Sequence, residues 1–140
     1  MGIDFGEVRI GIAVSDPTGT LASPVATLRR RRGKRPPFRA IEELVHAHQV
    51  EALVLGLPLE LDGSESDWTR EVRRAGDALG RRTGLPIHYV DERFTSVEAE
   101  ALVRSSGLPR GKREEKARID QGAAALILQR WLDQEEGSEG

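Results

Sequence analysis

The pattern of apolar and polar positions in the first 28 residues predicts three strands. Ile3 and Phe5 alternate with small or polar residues, and the same alternation returns over residues 8–14. A period of two is typical of half-buried strands. A turn at residues 6–7 would join the first two strands as a hairpin, and residues 21–28 fit a third strand or an extended connection. The chain is therefore expected to open with antiparallel strands.

The rest of the chain alternates helical segments with short apolar runs, which changes the expected class to α/β. Apolar spacing and a capping-box pattern predict helices over residues 38–49, 68–82, 95–107 and 119–131. Asp67 is the expected N-cap of the second of these helices. Runs at 52–55 and 86–90 predict buried strands of the parallel kind. The order predicts one domain with a mixed five-stranded sheet, three antiparallel strands followed by parallel strands, and helices on both faces.

Charge is distributed unevenly along the chain. The net charge is -2, but seven basic residues and no acid lie between Arg29 and Arg39. Residues 29–37 lack an apolar period and predict an exposed basic loop, and residues 108–118 predict a second charged loop, expected to be mobile. The last eight residues contain four acids and no base. We therefore expect one domain over residues 1–132 and an acidic, disordered tail over 133–140.

Composition limits the class of protein and the kinds of metal ligand that the chain can offer. A chain of 140 residues fits one domain, and no run approaches the ~18 apolar residues of a membrane span. The chain opens without a basic and apolar leader, so we expect a cytoplasmic protein. It contains no cysteine and only three histidines. A bound metal would therefore be held mainly by oxygen ligands.

Three carboxylate positions are candidates for such a site. Asp4 interrupts an apolar strand, Asp91 and Glu92 follow a strand end, and Asp120 lies on the apolar stripe of the last helix. Taken singly, each position is also consistent with a structural role. Asp4 fits a turn residue, Asp91 and Glu92 fit a solvated loop end, and Asp120 fits an acid in the first turn of a helix that stabilises the helix dipole. Strand alternation puts Asp91 and Glu92 on opposite faces, so only one of them is expected to share a site with Asp4.

Together, the three positions favour a divalent metal site. An oxygen-only set suits Mg²⁺ or Mn²⁺, and two such ions about 4 Å apart can activate water and stabilise the leaving oxygen of a phosphodiester. Residue spacing and composition thus favour a nuclease that acts on nucleic acid.

Four sequence blocks closely resemble the YqgF/RuvX family. They are the segment from Asp4 to Asp16, the Gly56-Leu57-Pro58-Leu59 segment with Asp62-Gly63, the segment from Asp91 to Ser96, and Asp120 before an alanine-rich helix. The resemblance implies the RNase H-like fold of the RuvC Holliday-junction resolvases. It also implies a nuclease that processes the precursor of small-subunit ribosomal RNA, that resolves branched DNA, or that does both.

The resemblance implies roles for individual residues. Asp4, Glu92 and Asp120 would be the catalytic, metal-binding triad, with Asp91 substituting for or supporting Glu92. Where RuvC-type enzymes have a fourth acid, this chain has Ala123, which puts full occupancy by two ions without substrate in doubt. Residues expected to line the site or bind substrate are Arg9, Arg93, Thr95, Arg29, Arg30, Arg31, Arg32, Arg110, Lys112 and Arg113.

Two other interpretations are open at this point. An Asp-x-Gly motif after a hairpin strand also begins the ATPases of the sugar-kinase, actin and Hsp70 type, but those proteins close two such domains on a nucleotide. A non-catalytic RNase H-like module that binds nucleic acid is the alternative function, and the presence of all three acids argues against it. The expected partner is structured RNA or branched DNA, and the protein is expected to be a monomer or a homodimer.

Overall fold

Five strands form a single mixed sheet in the order β3-β2-β1-β4-β5. The computed structural model describes residues 1–92 and 112–139, with side chains described over 1–92 and 122–135. The strands are β1 (Gly2–Phe5), β2 (Arg9–Ser15), β3 (Ala22–Arg29), β4 (Leu53–Leu57) and β5 (Ile87–Asp91). β2 is antiparallel to both β1 and β3, whereas β1, β4 and β5 are mutually parallel. The predicted mixed five-stranded sheet is confirmed.

Helices cover both faces of this sheet. In the described part of the chain they are α1 (Phe38–Ala47), α2 (Asp67–Thr83) and α3 (Lys112–Glu139). Because side chains alternate along each strand, each strand contributes to both faces. Ile3, Phe5 and Leu55 pack under α1 and α2, on what we call the α1–α2 face. Ala13 and Val54 pack under α3, on the α3 face.

Two local predictions at the edges of elements are wrong. The fourth strand was expected to end at residue 55, yet β4 continues through Gly56 to Leu57 because β5 pairs with both residues. The N-cap of α2 is Ser66, not Asp67: the Ser66 hydroxyl accepts from the backbone N–H of Thr69, and the Thr69 hydroxyl accepts from the Ser66 N–H. This reciprocal capping box favours Ser66 over its neighbour.

Helix α3 is longer than its apolar stripe indicates. It begins at Lys112, so residues 112–118, which were expected to form a mobile loop, are helical. It also ends at Glu139, well beyond the expected end near residue 131, so the helix includes most of the acidic segment 133–140. Charged residues of high helix propensity extend a helix without an apolar face. The domain boundary at residue 132 stays a prediction.

No helix in the described ranges has the length and apolar character needed to cross a membrane.

Candidate active site

Asp4 lies on the central strand of the sheet and on the α3 face. Its neighbours Ile3 and Phe5 pack on the opposite face. A Cβ built on Gly2, which shares the face of Asp4, would come within 2.7 Å of the carbonyl oxygen of Ala124 in α3. On β2, Asp4 is paired with Gly11. The carboxylate therefore lies under the last helix, beside a residue without a side chain.

Gly56 makes room for a second carboxylate beside Asp4. Glu92 follows β5, and its backbone N–H donates to the carbonyl of Leu57 at 3.1 Å. A Cβ on Gly56 would overlap Glu92 Oε2 and come within 2.6 Å of Ile127 Cδ1. This role of Gly56 was not predicted from the sequence. The available signal was a glycine inside an apolar strand, which marks a place where another group approaches closely.

Asp4 and Glu92 form an electrostatically coupled pair. Burial raises the pKa of Glu92 to about 9, and the charge of Asp4, a hydrogen bond to Asp4 and the charge of Asp91 contribute to the same rise. Glu92 Oε2 is buried, and among the described residues no group hydrogen-bonds to it. Two carboxylates this close cannot both ionise readily without a compensating cation, so in the absence of a cation the pair shares a proton at neutral pH.

Asp91 is adjacent to Glu92 in sequence but lies on the other face of the sheet. Alternation places it on the face of Tyr89, which packs under α1 and α2, whereas Val90 packs under α3. The backbone carbonyl of Asp91 accepts a hydrogen bond from Arg130 Nη1 at 3.1 Å. Helix α3 is thus tied to the end of β5, immediately before Glu92.

Asp120 belongs to α3, one helical turn before Ala124, and its side chain lies outside the described residues. Ala123, where RuvC-type enzymes have a fourth acid, is 1% exposed. Among the described side chains, no group of three or more acids or histidines is placed to hold a metal ion. The described part of the site is therefore the Asp4–Glu92 pair with Asp91 beside it.

The structure separates the four consecutive arginines that were expected to bind substrate. Arg29, Arg31 and Arg32 are exposed, and Arg32 lies 3.5 Å from Glu7. Arg30 is 8% exposed, its Nη2 donates to Glu71 at 2.9 Å, and its guanidinium stacks on the Phe5 ring. The assignment of Arg30 to substrate binding is therefore wrong.

The other expected substrate-binding residues divide into two groups. Arg9 begins β2 opposite Arg29 and is half-buried at the end of the sheet where β1 ends. Arg93, Thr95 and Arg110 lie outside the described residues. Lys112 and Arg113 begin α3, and their side chains are likewise outside the described part.

Comparison with known proteins identifies the family. A family model described as "RuvX: Holliday junction resolvase" matches residues 1–134. The chain belongs to the RuvX family. A Mycobacterium leprae (strain Br4923) protein named "Putative pre-16S rRNA nuclease" is 46% identical over 135 residues, which cover 96% of this chain and 72% of that protein. A protein of the same name from Maridesulfovibrio salexigens is 40% identical over 132 residues, covering 94% of this chain and 96% of its own.

Solved structures resemble this RuvX-family chain in fold. Thermus thermophilus RuvC in complex with a Holliday junction substrate superposes with a TM-score of 0.57 and 18% identity. The match covers 98% of this chain and 94% of that one. A second Thermus thermophilus RuvC structure gives a TM-score of 0.56. At this identity the likeness shows the fold alone, and that fold is RNase H-like.

Proposed function

We propose that this RuvX-family protein is a metal-dependent nuclease that hydrolyses phosphodiester bonds in structured nucleic acid. The observation that carries the proposal is the Asp4–Glu92 pair, in which Glu92 Oε2 is buried without a hydrogen-bond partner in the part of the chain that the structure describes. Burying carboxylates side by side is costly unless a ligand compensates for their charge. The names of the relatives support the precursor of small-subunit ribosomal RNA as substrate, and the family description supports branched DNA.

The donor set fits Mg²⁺ or Mn²⁺. Asp4 and Glu92 offer only oxygen atoms, the ligands that these hard cations prefer. We propose that Asp120 completes the set, because helical spacing puts it on the face of Ala124 and Ile127, which pack under the sheet. Asp91, which precedes Glu92 at the end of β5, supports Glu92 by adding negative charge beside it. A bound pair of cations would supply an activated water and stabilise the leaving oxygen.

The chain's own residues prepare this chemistry in three ways. Strand β1 holds Asp4 at the centre of the sheet, where neighbours on both sides fix its position. Gly56 leaves space for Glu92 to approach, and Arg130 fixes the end of β5 that presents it. Glu92, whose pKa is raised to about 9 without a cation, would release its proton when a cation binds.

Substrate binding is assigned mainly to basic residues. We propose contacts from Arg9, Arg29, Arg31 and Arg32, and further contacts from Arg93, Thr95, Arg110, Lys112 and Arg113. A cytoplasmic location and a monomer or homodimer stay predictions.

The test is cleavage of a 16S rRNA precursor fragment and of a four-way DNA junction, with Mg²⁺ or Mn²⁺. We expect Asp4→Asn and Glu92→Gln to lower the single-turnover rate by at least about a hundredfold, because each removes a charge that holds the cation. Asp91→Asn is the matched control, with the same chemistry at the neighbouring position, and we expect a smaller loss.

Binding of each substrate, measured by fluorescence anisotropy, should stay within a few-fold of the parent in all three variants. Cleavage by Asp4→Asn at the parent rate under saturating metal would contradict the proposal. Equal losses in Glu92→Gln and Asp91→Asn would show that the assignment of Glu92 is wrong. If the parent binds but cuts neither substrate with either metal, the protein is a binding module instead.

A further inference from the structure

Two loops of opposite charge lie on either side of Asp4 at one edge of the sheet. The second follows β4, which lies between β1 and β5 and therefore between Asp4 and Glu92. The chain leaves β1, β4 and β5 at this edge, and because β3 is antiparallel to β2 and β2 to β1, β3 also ends there. Residues 30–37 follow β3 on one side of Asp4, and residues 58–66 follow β4 on the other. Strands are spaced about 4.8 Å apart, so both loops begin within about 10 Å of the Asp4 strand.

The loop after β3, together with the strand ends before it, forms a surface that we call the basic rim. It combines two paired arginines at the ends of β2 and β3 with exposed bases of the loop. Arg9 alternates with Ile10, which packs on the α1–α2 face, so Arg9 and its partner Arg29 share the face of Asp4. The members of the basic rim are Arg9, Arg29, Arg31, Arg32, Lys34 and Arg35.

Buried Arg30 fixes the shape of this rim. Its backbone N–H donates to the carbonyl of Val8 at 2.9 Å, and its Nε donates to the carbonyl of Lys34 at 3.1 Å. Its guanidinium also bonds to Glu71 and lies 5.9 Å from the centre of the Trp68 ring. These contacts join the loop to β2 and to α2. The loop backbone that carries the exposed bases is therefore held in place before any ligand binds, which lowers the entropy lost on binding.

The loop after β4 presents the opposite charge. Residues 58–66, which we call the acidic loop, contain Glu60, Asp62 and Glu65 and no basic residue. The Glu60 N–H donates to the Ser64 carbonyl and the Gly63 N–H donates to the Glu60 carbonyl, which closes this loop. Asp62 accepts from both the N–H and the hydroxyl of Ser64, and Glu65 is paired with Arg73. A phosphate backbone crossing this loop would meet negative charge on a folded surface.

We infer that a nucleic-acid strand bound at the Asp4–Glu92 pair leaves it over β2 and β3, along the basic rim, and not over the acidic loop. The inference rests on the proposed function and adds a direction to it. Attraction on one side and repulsion on the other act on the same phosphates within about a Debye length, so they fix the orientation of the strand. The partner is defined by its phosphate backbone, which the rim would contact without reading base sequence.

The absence of cysteine from the chain allows a direct test of this direction. Lys34→Cys on the basic rim and Leu61→Cys on the acidic loop each introduce one exposed thiol, since Leu61 is 78% exposed. Each variant carries Asp4→Asn to prevent cutting and is labelled with a benzophenone maleimide. The probe is a fluorescent four-way DNA junction or a 16S rRNA precursor fragment. We expect light-induced crosslinking from position 34 and little from position 61.

A second measurement tests whether rim charges carry the binding. Arg31→Ala with Arg32→Ala removes two rim charges, and the control Arg81→Ala removes an exposed charge from the last turn of α2, outside the rim. We expect the rim variant to bind about tenfold more weakly at low salt. Its log–log salt slope on duplex DNA should fall by about 0.9 for each phosphate that the rim no longer neutralises. The control variant should keep both the affinity and the slope of the parent.

Each contrary result overturns the inference. Crosslinking from position 61 equal to or above that from position 34 would reverse or remove the direction, and crosslinking from neither would place the strand elsewhere. A salt slope that is unchanged in the rim variant, or lowered equally in the control, would show that the rim is only a solvated loop. If position 34 crosslinks but the parent does not cleave, the proposed function fails while the direction of the strand stands.

Discussion

The two faces of the sheet use the same strands for different purposes. On the α1–α2 face, β1 and β4 present large apolar side chains such as Ile3 and Leu55, both fully buried. On the α3 face, the adjacent positions are Asp4 and Gly56. Burial of an aliphatic side chain contributes about 2 kcal/mol, whereas a buried carboxylate without a cation costs stability. Alternation along a strand thus lets one segment stabilise the fold and build the site, with each function on its own face.

The largest effect that would sharpen this contrast is expected from Gly56→Ala. The new methyl group would overlap Glu92 Oε2 and approach Ile127 Cδ1 to 2.6 Å, so Glu92 must move away from Asp4. We expect the cleavage rate to fall by about a hundredfold or more, as displaced catalytic groups lose their geometry. Single-turnover kinetics at saturating metal measure the fall. A rate within a few-fold of the parent would show that the space above Gly56 is not needed by the site.

The neighbouring substitution, Leu55→Ala, should have the opposite profile. Leu55 is fully buried on the α1–α2 face, and its truncation leaves a cavity that costs about 2–5 kcal/mol of unfolding free energy. We expect the folded variant to cleave at nearly the parent rate, because the α3 face is unchanged. Chemical denaturation measures the first quantity and single-turnover kinetics the second. A large loss of rate at full folding would mean that the two faces are not independent.

The smallest effect concerns the stability cost of the carboxylate pair. Since burial and Asp4 raise the pKa of Glu92 to about 9 in the folded protein, the folded state holds a proton that the unfolded state has lost above about pH 4.5. The stabilising contribution is therefore fully present at low pH and is lost as pH rises towards 9. Glu92→Gln removes this dependence, because its neutral amide does not titrate.

In EDTA we expect Glu92→Gln to match the parent in stability near pH 5 and to exceed it at pH 8. The difference should grow by at most about 1.4 kcal/mol per pH unit, and 1 kcal/mol corresponds to about 3 °C in Tm for a domain of this size. Thermal melts at several pH values measure it. Adding Mg²⁺ should stabilise the parent at pH 8 more than the variant. A parent and variant with parallel pH profiles would contradict the raised pKa of Glu92.

Much of the fold and part of the site follow from local sequence patterns. Alternation in residues 1–15, the helical spacing of α1 and α2, and the apolar runs of β4 and β5 each report which positions face the core, and the sheet class follows from their order. The same alternation predicted that only one of Asp91 and Glu92 lies on the face of Asp4, while the choice of Glu92 came from the family resemblance; in the structure Glu92 is the acid that meets Asp4. What local pattern could not give is an element whose boundary lacks an apolar signal, such as the start of α3 at Lys112.

Only tertiary structure distinguished residues that are identical in sequence context. Four consecutive arginines are alike as members of a basic loop, yet Arg30 turns inward because Phe5, Trp68 and Glu71 from distant segments form a place for its guanidinium. Gly56 resembled a strand breaker because its role depends on Glu92, 36 residues later in the sequence. The sequence determines which side chains alternate to which face through local backbone geometry. Which charged side chains pair with another group depends on contacts between distant segments of the chain. Those contacts form only when the sheet and its helices pack together.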